Sequence, residues 1–121
     1  MQLDLLDGVF AVARLPADAA TPNWAHAGDL LSITRTREEL SIVCGDVPDS
    51  VECQRGWRCL KVRGPLDFSL TGVLASLAVP LADAGVPIFV LSTFNTDYVL
   101  IPEASVQTAT AALVRAGHTL Q

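Results

Sequence analysis

The sequence is poor in positive charge. Only 8 of its 121 residues are Lys or Arg, against 13 Asp and Glu, and the formal net charge is −5. Proteins that bind nucleic acids along the phosphate backbone carry clustered cations, whereas this chain offers only isolated pairs such as Arg35 with Arg37. The charge balance therefore argues against a nucleic-acid-binding function. Solubility alone explains the excess of acids.

The chain also lacks an apolar run long enough to span a membrane. Pro80, Asp83, Gly85 and Pro87 interrupt its richest apolar stretch. The first residues, Met1 to Asp7, carry acids where an export signal needs basic residues. We therefore expect a cytoplasmic protein that does not contact a membrane.

Signatures of catalysis and of metal binding are missing as well. Cys44, Cys53 and Cys59 are spaced nine and six residues apart with no C-x-x-C, which predicts reduced, packed thiols. The two histidines, His26 and His118, stand in no recognisable relation to a nucleophile. No nucleotide P-loop, dinucleotide fingerprint or EF-hand is present. We expect no metal, no cofactor and no enzymatic activity.

Apolar material, in contrast, is plentiful. Half of the residues are hydrophobic and only 17% are charged. That is enough for the interior of one domain, or of two very small domains that share a core. A sheet face buried against a partner would explain the surplus, so we expect an oligomer.

The second half of the chain begins with a predicted strand and helix. Residues 57–62 alternate in hydropathy as a strand does. From Leu70 to Leu81 apolar residues recur every three or four positions, which predicts a helix with one face turned to a core. Ser69 is the predicted N-cap and Gly85 the predicted C-terminal cap. Pro80 lies inside the helix and should cost it a hydrogen bond.

The same half continues with two strands, a helix and a last strand. Ile88 to Leu91 is a continuous apolar run, which predicts a central strand, and Tyr98 to Ile101 predicts the next one. Thr93 to Asp97 is the turn between them. A helix is predicted from Ala104 to Ala116, and a short strand over 118–120. The resulting order βαββαβ is that of a ferredoxin-like unit.

The first half repeats this order in a degenerate form. Gly8 to Leu15 alternates as a strand does, and Leu30 to Thr34 with Leu40 to Cys44 predicts a hairpin. Pro16 to Gly28 stands in the place of the first helix but shows no clear periodicity, and Val47 to Gln54 predicts either a short helix or only a turn. The predicted fold class is α+β, with two ferredoxin-like units whose antiparallel sheets carry helices on one face. Residues 1–56 form the degenerate unit and residues 57–121 the complete one.

Two polar turns of the second unit should lie beside a helix N-terminus. One runs from Asp67 to Val73 and leads into the first helix, and the other runs from Thr93 to Asp97. Backbone N–H groups at a helix N-terminus attract a carboxylate, and the Asp97 carboxylate could pair with an ammonium group. The sequence therefore predicts a site for a small zwitterion.

These residues resemble a known family. The hairpin Ser32 to Cys44, the strand Gly56 to Val62 and the turn Gly64-Pro-Leu-Asp-Phe-Ser-Leu-Thr-Gly72 look like small tandem ACT-domain proteins of bacteria. The turn Ser92-Thr-Phe-Asn-Thr-Asp97 strengthens the match. The architecture is also similar to the regulatory part of aspartate kinases and to the cytosolic arginine sensors of animal cells.

The resemblance implies a non-catalytic regulatory module, a homodimer that binds a small molecule, an amino acid, between paired copies. Carried over by position, the ligand-binding residues are Asp67, Ser69, Leu70, Thr71, Gly72, Val73, Thr93, Phe94, Asn95 and Asp97. In the arginine sensors an acidic residue takes the place of Leu70. The apolar residue here argues against arginine and for a ligand with an uncharged side chain.

The same residues also have ordinary structural interpretations. Asp97 could cap its own turn, Ser69 could cap the helix, and Phe94 could fill the core at a strand end. Gly72, predicted in the first helical turn, costs about 1 kcal/mol there relative to alanine, and either an approaching ligand or close packing would explain it. On this alternative the ligand site is vestigial, and the domain serves for self-association or docks a partner protein.

Overall fold

The structure is a computed structural model that describes residues 1–26, 28–67 and 71–121. Its elements are β1 (Gln2–Leu5), β2 (Phe10–Leu15), β3 (Ser32–Arg35), β4 (Leu40–Cys44), β5 (Cys53–Val62), α1 (Val73–Asp83), β6 (Phe89–Ser92), β7 (Asp97–Pro102), α2 (Val106–Arg115) and β8 (Thr119–Leu120). A 3₁₀ turn, Glu103–Ser105, leads into α2. The mixed α+β class is confirmed.

The chain divides into two compact units. The larger unit comprises Met1–Leu6 and Arg58–Gln121, and the smaller unit comprises Asp7–Trp57. From β5 to β8 the elements follow the predicted order βαββαβ. The division of the chain into two ACT-like copies, at residues 1–56 and 57–121, stays a prediction.

The sheet of the larger unit has the strand order β6-β7-β5-β1-β8. β1 runs antiparallel to β5, with Leu3 opposite Val62, and parallel to β8, with Gln2 opposite Thr119. Strand β1 was not predicted; it packs Leu3 completely into the core. The prediction of a central strand at Ile88 to Leu91 is wrong. Within the described residues β6 pairs with β7 alone and is therefore an edge strand. The prediction failed because an apolar run indicates that both faces of a strand are in contact with other residues, and it does not indicate how many strands are hydrogen-bonded to it.

The core of the larger unit joins this sheet to both helices. Its buried residues include Leu3, Leu60, Val62, Leu77, Leu81, Val99, Ile101, Ala109 and Leu113. Leu77 and Leu81 confirm the predicted inner face of α1, and Ala109 and Leu113 lie on the buried face of α2. Ala116, the last residue of the predicted helix, is exposed, because α2 ends at Arg115.

The start of α1 differs from the prediction. The helix begins at Val73, and its N-cap is Gly72, which has a left-handed φ of 77°. Gly72 therefore does not lie in the first helical turn, and Ser69, predicted as the N-cap, lies outside the described residues. Glycine is needed at this position because other residues enter the left-handed region only under strain. At the other end, Gly85 follows the C-cap Ala84 with φ 75°, as predicted.

Pro80 lies inside α1, as predicted, and has no N–H to donate to the carbonyl of Ser76 one turn earlier. Nε2 of His118 lies 2.8 Å from that carbonyl oxygen. Because a carbonyl only accepts, Nε2 carries the hydrogen of this bond. His118 is 6% exposed. A histidine to which the sequence analysis gave no role thus ties α1 to the segment just before β8.

In the smaller unit the strand order is β3-β4-β2-β5. β3 and β4 form the predicted hairpin, with Ile33 opposite Ile42. One core cluster contains Ala11, Ala13, Leu40, Ile42, Cys44 and Val47. β5 begins at Cys53, four residues before the predicted start, and Val47 to Gln54 contains a turn and no helix.

The segment Pro16 to Gly28 is not helical in its described residues. Two of its backbone carbonyls, those of Ala17 and Ala19, accept hydrogen bonds from the guanidinium of Arg35. A side chain from β3 therefore satisfies backbone groups that a helix would have satisfied internally.

The three cysteines are free, and Cys44 and Cys59 are buried. Burial raises the pKa of the Cys59 thiol to about 12. Within the described part of the chain, no helix is both long enough and apolar enough to cross a membrane.

Candidate functional site

The two predicted polar turns meet at a cavity of the larger unit. Its volume is about 220 Å³, and its lining residues are Leu66, Asp67, Val73, Ser92, Thr93, Phe94, Asn95, Thr96 and Asp97. We call it the acidic cavity. Six of the predicted site residues line it: Asp67, Val73, Thr93, Phe94, Asn95 and Asp97. Thr71 and Gly72 adjoin Val73 in the chain but do not line it, and Ser69 and Leu70 lie outside the described residues.

The turn between β6 and β7 forms one wall. Its ends are joined by a hydrogen bond of 2.8 Å from the Thr93 N–H to the Thr96 carbonyl. The Thr96 side chain is buried, and its hydroxyl donates to the Val62 carbonyl at 2.5 Å. This contact attaches the turn to the end of β5. Thr96 was not predicted as a site residue, since nothing in the neighbouring sequence distinguishes a buried threonine from an ordinary turn residue.

Asp97 is held by the other strand of the same hairpin. Ser92 lies opposite Asp97 in the strand register, and its hydroxyl donates to Oδ1 of Asp97 at 2.6 Å. If Asp97 capped its own turn, backbone N–H groups of that turn would donate to its carboxylate. Among the described residues none of them does. An ionised carboxylate has about four acceptor positions, so Asp97 keeps acceptor capacity on the cavity side. Ser92 was not predicted as a site residue, because its contact with Asp97 depends on the register of the two strands.

The segment before α1 packs closely on this turn. The Leu66 N–H donates to the Asn95 carbonyl at 2.7 Å. A Cβ at Gly64 would lie 3.0 Å from the same carbonyl oxygen and 3.2 Å from Cβ of Thr96. A side chain at Gly64 would therefore push the two walls of the cavity apart.

The first residue of α1, Val73, closes the cavity at the positive end of the helix. Among the described residues no side chain caps this helix at Gly72, and its first turn contains no acid. The first N–H groups of a helix have no partner within it and favour a negative group. An anionic ligand group could bind there.

The cavity thus offers groups suited to a zwitterion with an apolar part. Two carboxylates, Asp67 and Asp97, line it with no cationic side chain, and Leu66, Val73 and Phe94 give apolar walls. The Phe94 side chain is 80% exposed, so it is not the core aromatic that the alternative interpretation required. None of the lining residues is a histidine, cysteine or lysine. Over residues 1–26, 28–67 and 71–121, no group of three or more His, Cys, Asp or Glu is placed to hold a metal ion.

Comparison with known proteins matches most of the sequence. A family model described as an ACT domain matches residues 52–115, and a model of an N-terminal domain matches residues 8–50. The cytosolic arginine sensor for mTORC1 subunit 1 of Pongo abelii is 38% identical over 122 aligned residues, which span 92% of this chain and 37% of that protein. The human sensor of the same name is 38% identical over 60 residues, 49% of this chain and 18% of the relative. This chain therefore spans little more than a third of the curated relatives it matches.

Solved structures share the fold. A crystal structure of an Agobacterium tumefaciens protein superposes with a TM-score of 0.94 at 42% identity, over 99% of this chain and 91% of that one. Aspartate kinase from Clostridium acetobutylicum superposes with a TM-score of 0.68 at 12% identity, over 91% of this chain and 33% of that one. The ligand-free regulatory subunit of aspartate kinase from Thermus thermophilus gives 0.64 at 12% identity, over 95% and 97% of the two chains. At 12% identity, the two aspartate kinase structures show only that the fold is shared.

Proposed function

This chain belongs to the ACT-domain family, and on that premise we propose that it is a non-catalytic regulatory module that binds a free amino acid. The observation that carries the proposal is the acidic cavity between the start of α1 and the β6–β7 turn. Its 220 Å³ lie below the roughly 300–1,000 Å³ of sites for drug-sized ligands, which suits a small metabolite. Arginine sensing by a relative that is 38% identical supports the same class of ligand.

Each end of the ligand has a matching group. The ammonium pairs with the Asp97 carboxylate, whose position Ser92 sets. The ligand carboxylate binds the N–H groups of the first turn of α1. The apolar side chains of Leu66 and Val73 then meet the ligand side chain, which we take to be uncharged. The remaining predicted site residues, Ser69, Leu70, Thr71 and Gly72, belong to the segment that leads into α1.

Ligand binding would regulate the module by fixing the conformation of part of its surface. A ligand that bridges Asp97 and the start of α1 would fix the β6–β7 turn, and with it the exposed Phe94. A partner protein would then meet a different surface in the bound and free states. We further propose that the module acts as a cytoplasmic homodimer, and that residues 1–56 form a degenerate ACT-like unit.

The test is thermal unfolding in the presence of each of the twenty amino acids. A ligand at one hundred times its dissociation constant stabilises the folded state by about 2.7 kcal/mol, which a melting curve resolves. Asp97→Asn keeps the shape and removes the charge, and it should weaken binding by about 10- to 100-fold. Asp29→Asn, an exposed acid outside the cavity, is the matched control and should bind normally. If no amino acid at millimolar concentration raises the melting temperature of the wild-type protein, the proposal is wrong.

A docking module without a ligand is the second candidate. It is favoured by exposed apolar side chains, since Phe94 is 80%, Val79 57% and Val114 54% exposed. On this candidate Asp97→Asn would change neither stability in the presence of amino acids nor self-association, whereas Phe94→Ser would weaken association. On the first candidate Asp97→Asn loses the ligand and leaves the dimer intact.

A further inference from the structure

The β6–β7 turn also borders a second cavity of the larger unit, with a volume of about 250 Å³. We call it the basic cavity. Its lining residues are Lys61, Arg63, Gly64, Pro65, Thr93, Asn95, Thr96 and Tyr98. Because Leu60, Val62 and Val99 point into the core beneath the helices, strand alternation places Lys61 and Tyr98 on the helix-free face of the sheet.

The charges of the basic cavity have the sign opposite to those of the acidic one. Lys61 and Arg63 line it, and none of its lining residues is an acid. Nη2 of Arg63 donates to Oδ1 of Asp4 at 2.5 Å, and its Nε donates to Oδ2 at 3.3 Å. Asp4, which lies opposite Lys61 in the strand register, is therefore already paired with Arg63. The three groups together leave a surplus of one positive charge beside the cavity.

Lys61 and Tyr98 bring polar groups without a hydrogen-bond partner among the described residues. Their side chains are half-buried, and within residues 1–26, 28–67 and 71–121 neither the Lys61 ammonium nor the Tyr98 hydroxyl has a hydrogen bond or a close ion pair. Arg63 lowers the pKa of the Asp4 carboxyl, and the Lys61 charge helps to lower it only at longer range. An ammonium and a hydroxyl without a hydrogen-bond partner gain most from a negatively charged acceptor. The volume equals that of about eight waters in the liquid, which is enough for a small oxyanion.

We propose that the basic cavity is a second binding site, which takes the carboxylate or phosphate group of a small anion. Lys61 supplies the countercharge, and the Tyr98 hydroxyl and the Asn95 side-chain amide donate hydrogen bonds. This site is distinct from the one proposed for the amino acid and does not depend on it. Since Thr93, Asn95 and Thr96 line both cavities, a bound anion also fixes one wall of the acidic cavity.

The sequence provides a direct probe, because Lys61 is its only lysine. Reductive methylation with ¹³C-formaldehyde labels the Lys61 ammonium and keeps its charge. Inorganic phosphate and malonate are titrated separately, against sodium chloride at equal ionic strength. We expect the Lys61 methyl resonance to shift saturably with millimolar half-saturation in at least one titration, and the labelled α-amino group serves as internal reference. Phosphate alone, malonate alone or both identify the anion class. A Lys61 resonance that follows ionic strength equally in all three salts overturns the proposal.

Variants then test the roles of the residues, with the anion-induced rise in melting temperature as the readout. Lys61→Gln should abolish the rise, Lys61→Arg should retain it, and Tyr98→Phe should weaken the apparent affinity several-fold. Arg115→Gln removes an exposed cation that does not line the basic cavity, and it is the matched control for the change in net charge. Equal losses in Lys61→Gln and Arg115→Gln would show general charge screening and refute the site. If Lys61→Gln does not fold, the titration of the wild-type protein decides alone.

Discussion

The hydrogen bond from His118 to the Ser76 carbonyl should stabilise the folded protein, and the size of this effect should depend on Pro80. Pro80 removes the N–H that would normally bond to Ser76, and His118 Nε2 replaces it at 2.8 Å. His118→Leu should therefore leave this carbonyl without a donor. In the Pro80→Ala background the new backbone N–H at position 80 can reach the same oxygen. The same histidine substitution should then do less harm.

The expected magnitude follows from the environment of the bond. A buried acceptor without a partner costs about 1–3 kcal/mol. We take about 1–2 kcal/mol, because Ser76 lies at the surface whereas His118 is 6% exposed. With an unfolding entropy of about 2.1 cal/mol/K per residue, 121 residues give about 0.25 kcal/mol/K, so the melting temperature should fall by about 4–8 °C. In the Pro80→Ala background the loss should be smaller by about 1 kcal/mol.

Urea unfolding of four proteins measures this coupling: wild type, Pro80→Ala, His118→Leu and the double variant. The coupling energy is the difference between the two costs of His118→Leu, and each variant must keep the wild-type dependence on urea concentration. Equal costs in the two backgrounds, within about 0.5 kcal/mol, would refute the reasoning. In that case water would be satisfying the Ser76 carbonyl.

Three further predictions concern single residues. The new Cβ of Gly72→Ala would meet no atom within 4 Å, but the residue must keep φ near 77°, so the variant should lose about 1 kcal/mol of unfolding free energy in urea. Gly28→Ala is the control: Gly28 has no positive φ, and its substitution should cost almost nothing. Equal costs of the two substitutions would contradict the backbone explanation. Arg63 lowers the pKa of Asp4 below 3.8, so the pair stabilises the fold above that pH and loses its effect as the pH falls through the lowered pKa. Asp4→Asn should therefore lose less stability than the wild type as the pH falls from neutral through the lowered pKa of Asp4, and an unchanged acid dependence would speak against the pair. Cys59, buried with a pKa of about 12, should react with a thiol reagent at pH 8 only upon unfolding, and rapid labelling of the native protein would contradict its burial.

Local patterns predicted the elements whose evidence lies within a few residues. The periodicity of Leu77 and Leu81 predicts the inner face of α1, and the strand–turn–strand pattern around Thr93 to Asp97 predicts the β6–β7 hairpin. The strand β1 was missed because its partners, Val62 and Leu120, lie far away in sequence. Its four residues, Gln-Leu-Asp-Leu, alternate polar and apolar as a strand does, but the run has only the minimum length at which alternation is informative.

The candidate site was predicted in part for the same reason. Turn composition identified Asp67, Thr93 and Asp97, which line one cavity. Ser92 and Thr96 were missed, since their contacts depend on which residues face each other across a hairpin and on the carbonyl at the end of β5. The N-terminus of α1 was placed too early because periodicity marks the apolar face of a helix and not the residue where the backbone turns.

The larger unit is discontinuous in sequence, which limits how it can be produced in isolation. A fragment that begins at Arg58 would omit β1, the strand between β5 and β8, and would leave the facing edges of β5 and β8 without their partner strand. The two segments of the larger unit nevertheless lie close together where the chain leaves and re-enters it, because the Leu6 N–H donates to the Cys59 carbonyl at 2.9 Å. A miniature version is therefore best made by deleting residues 7–57 and splicing Leu6 to Arg58 through a tight two-residue hairpin loop.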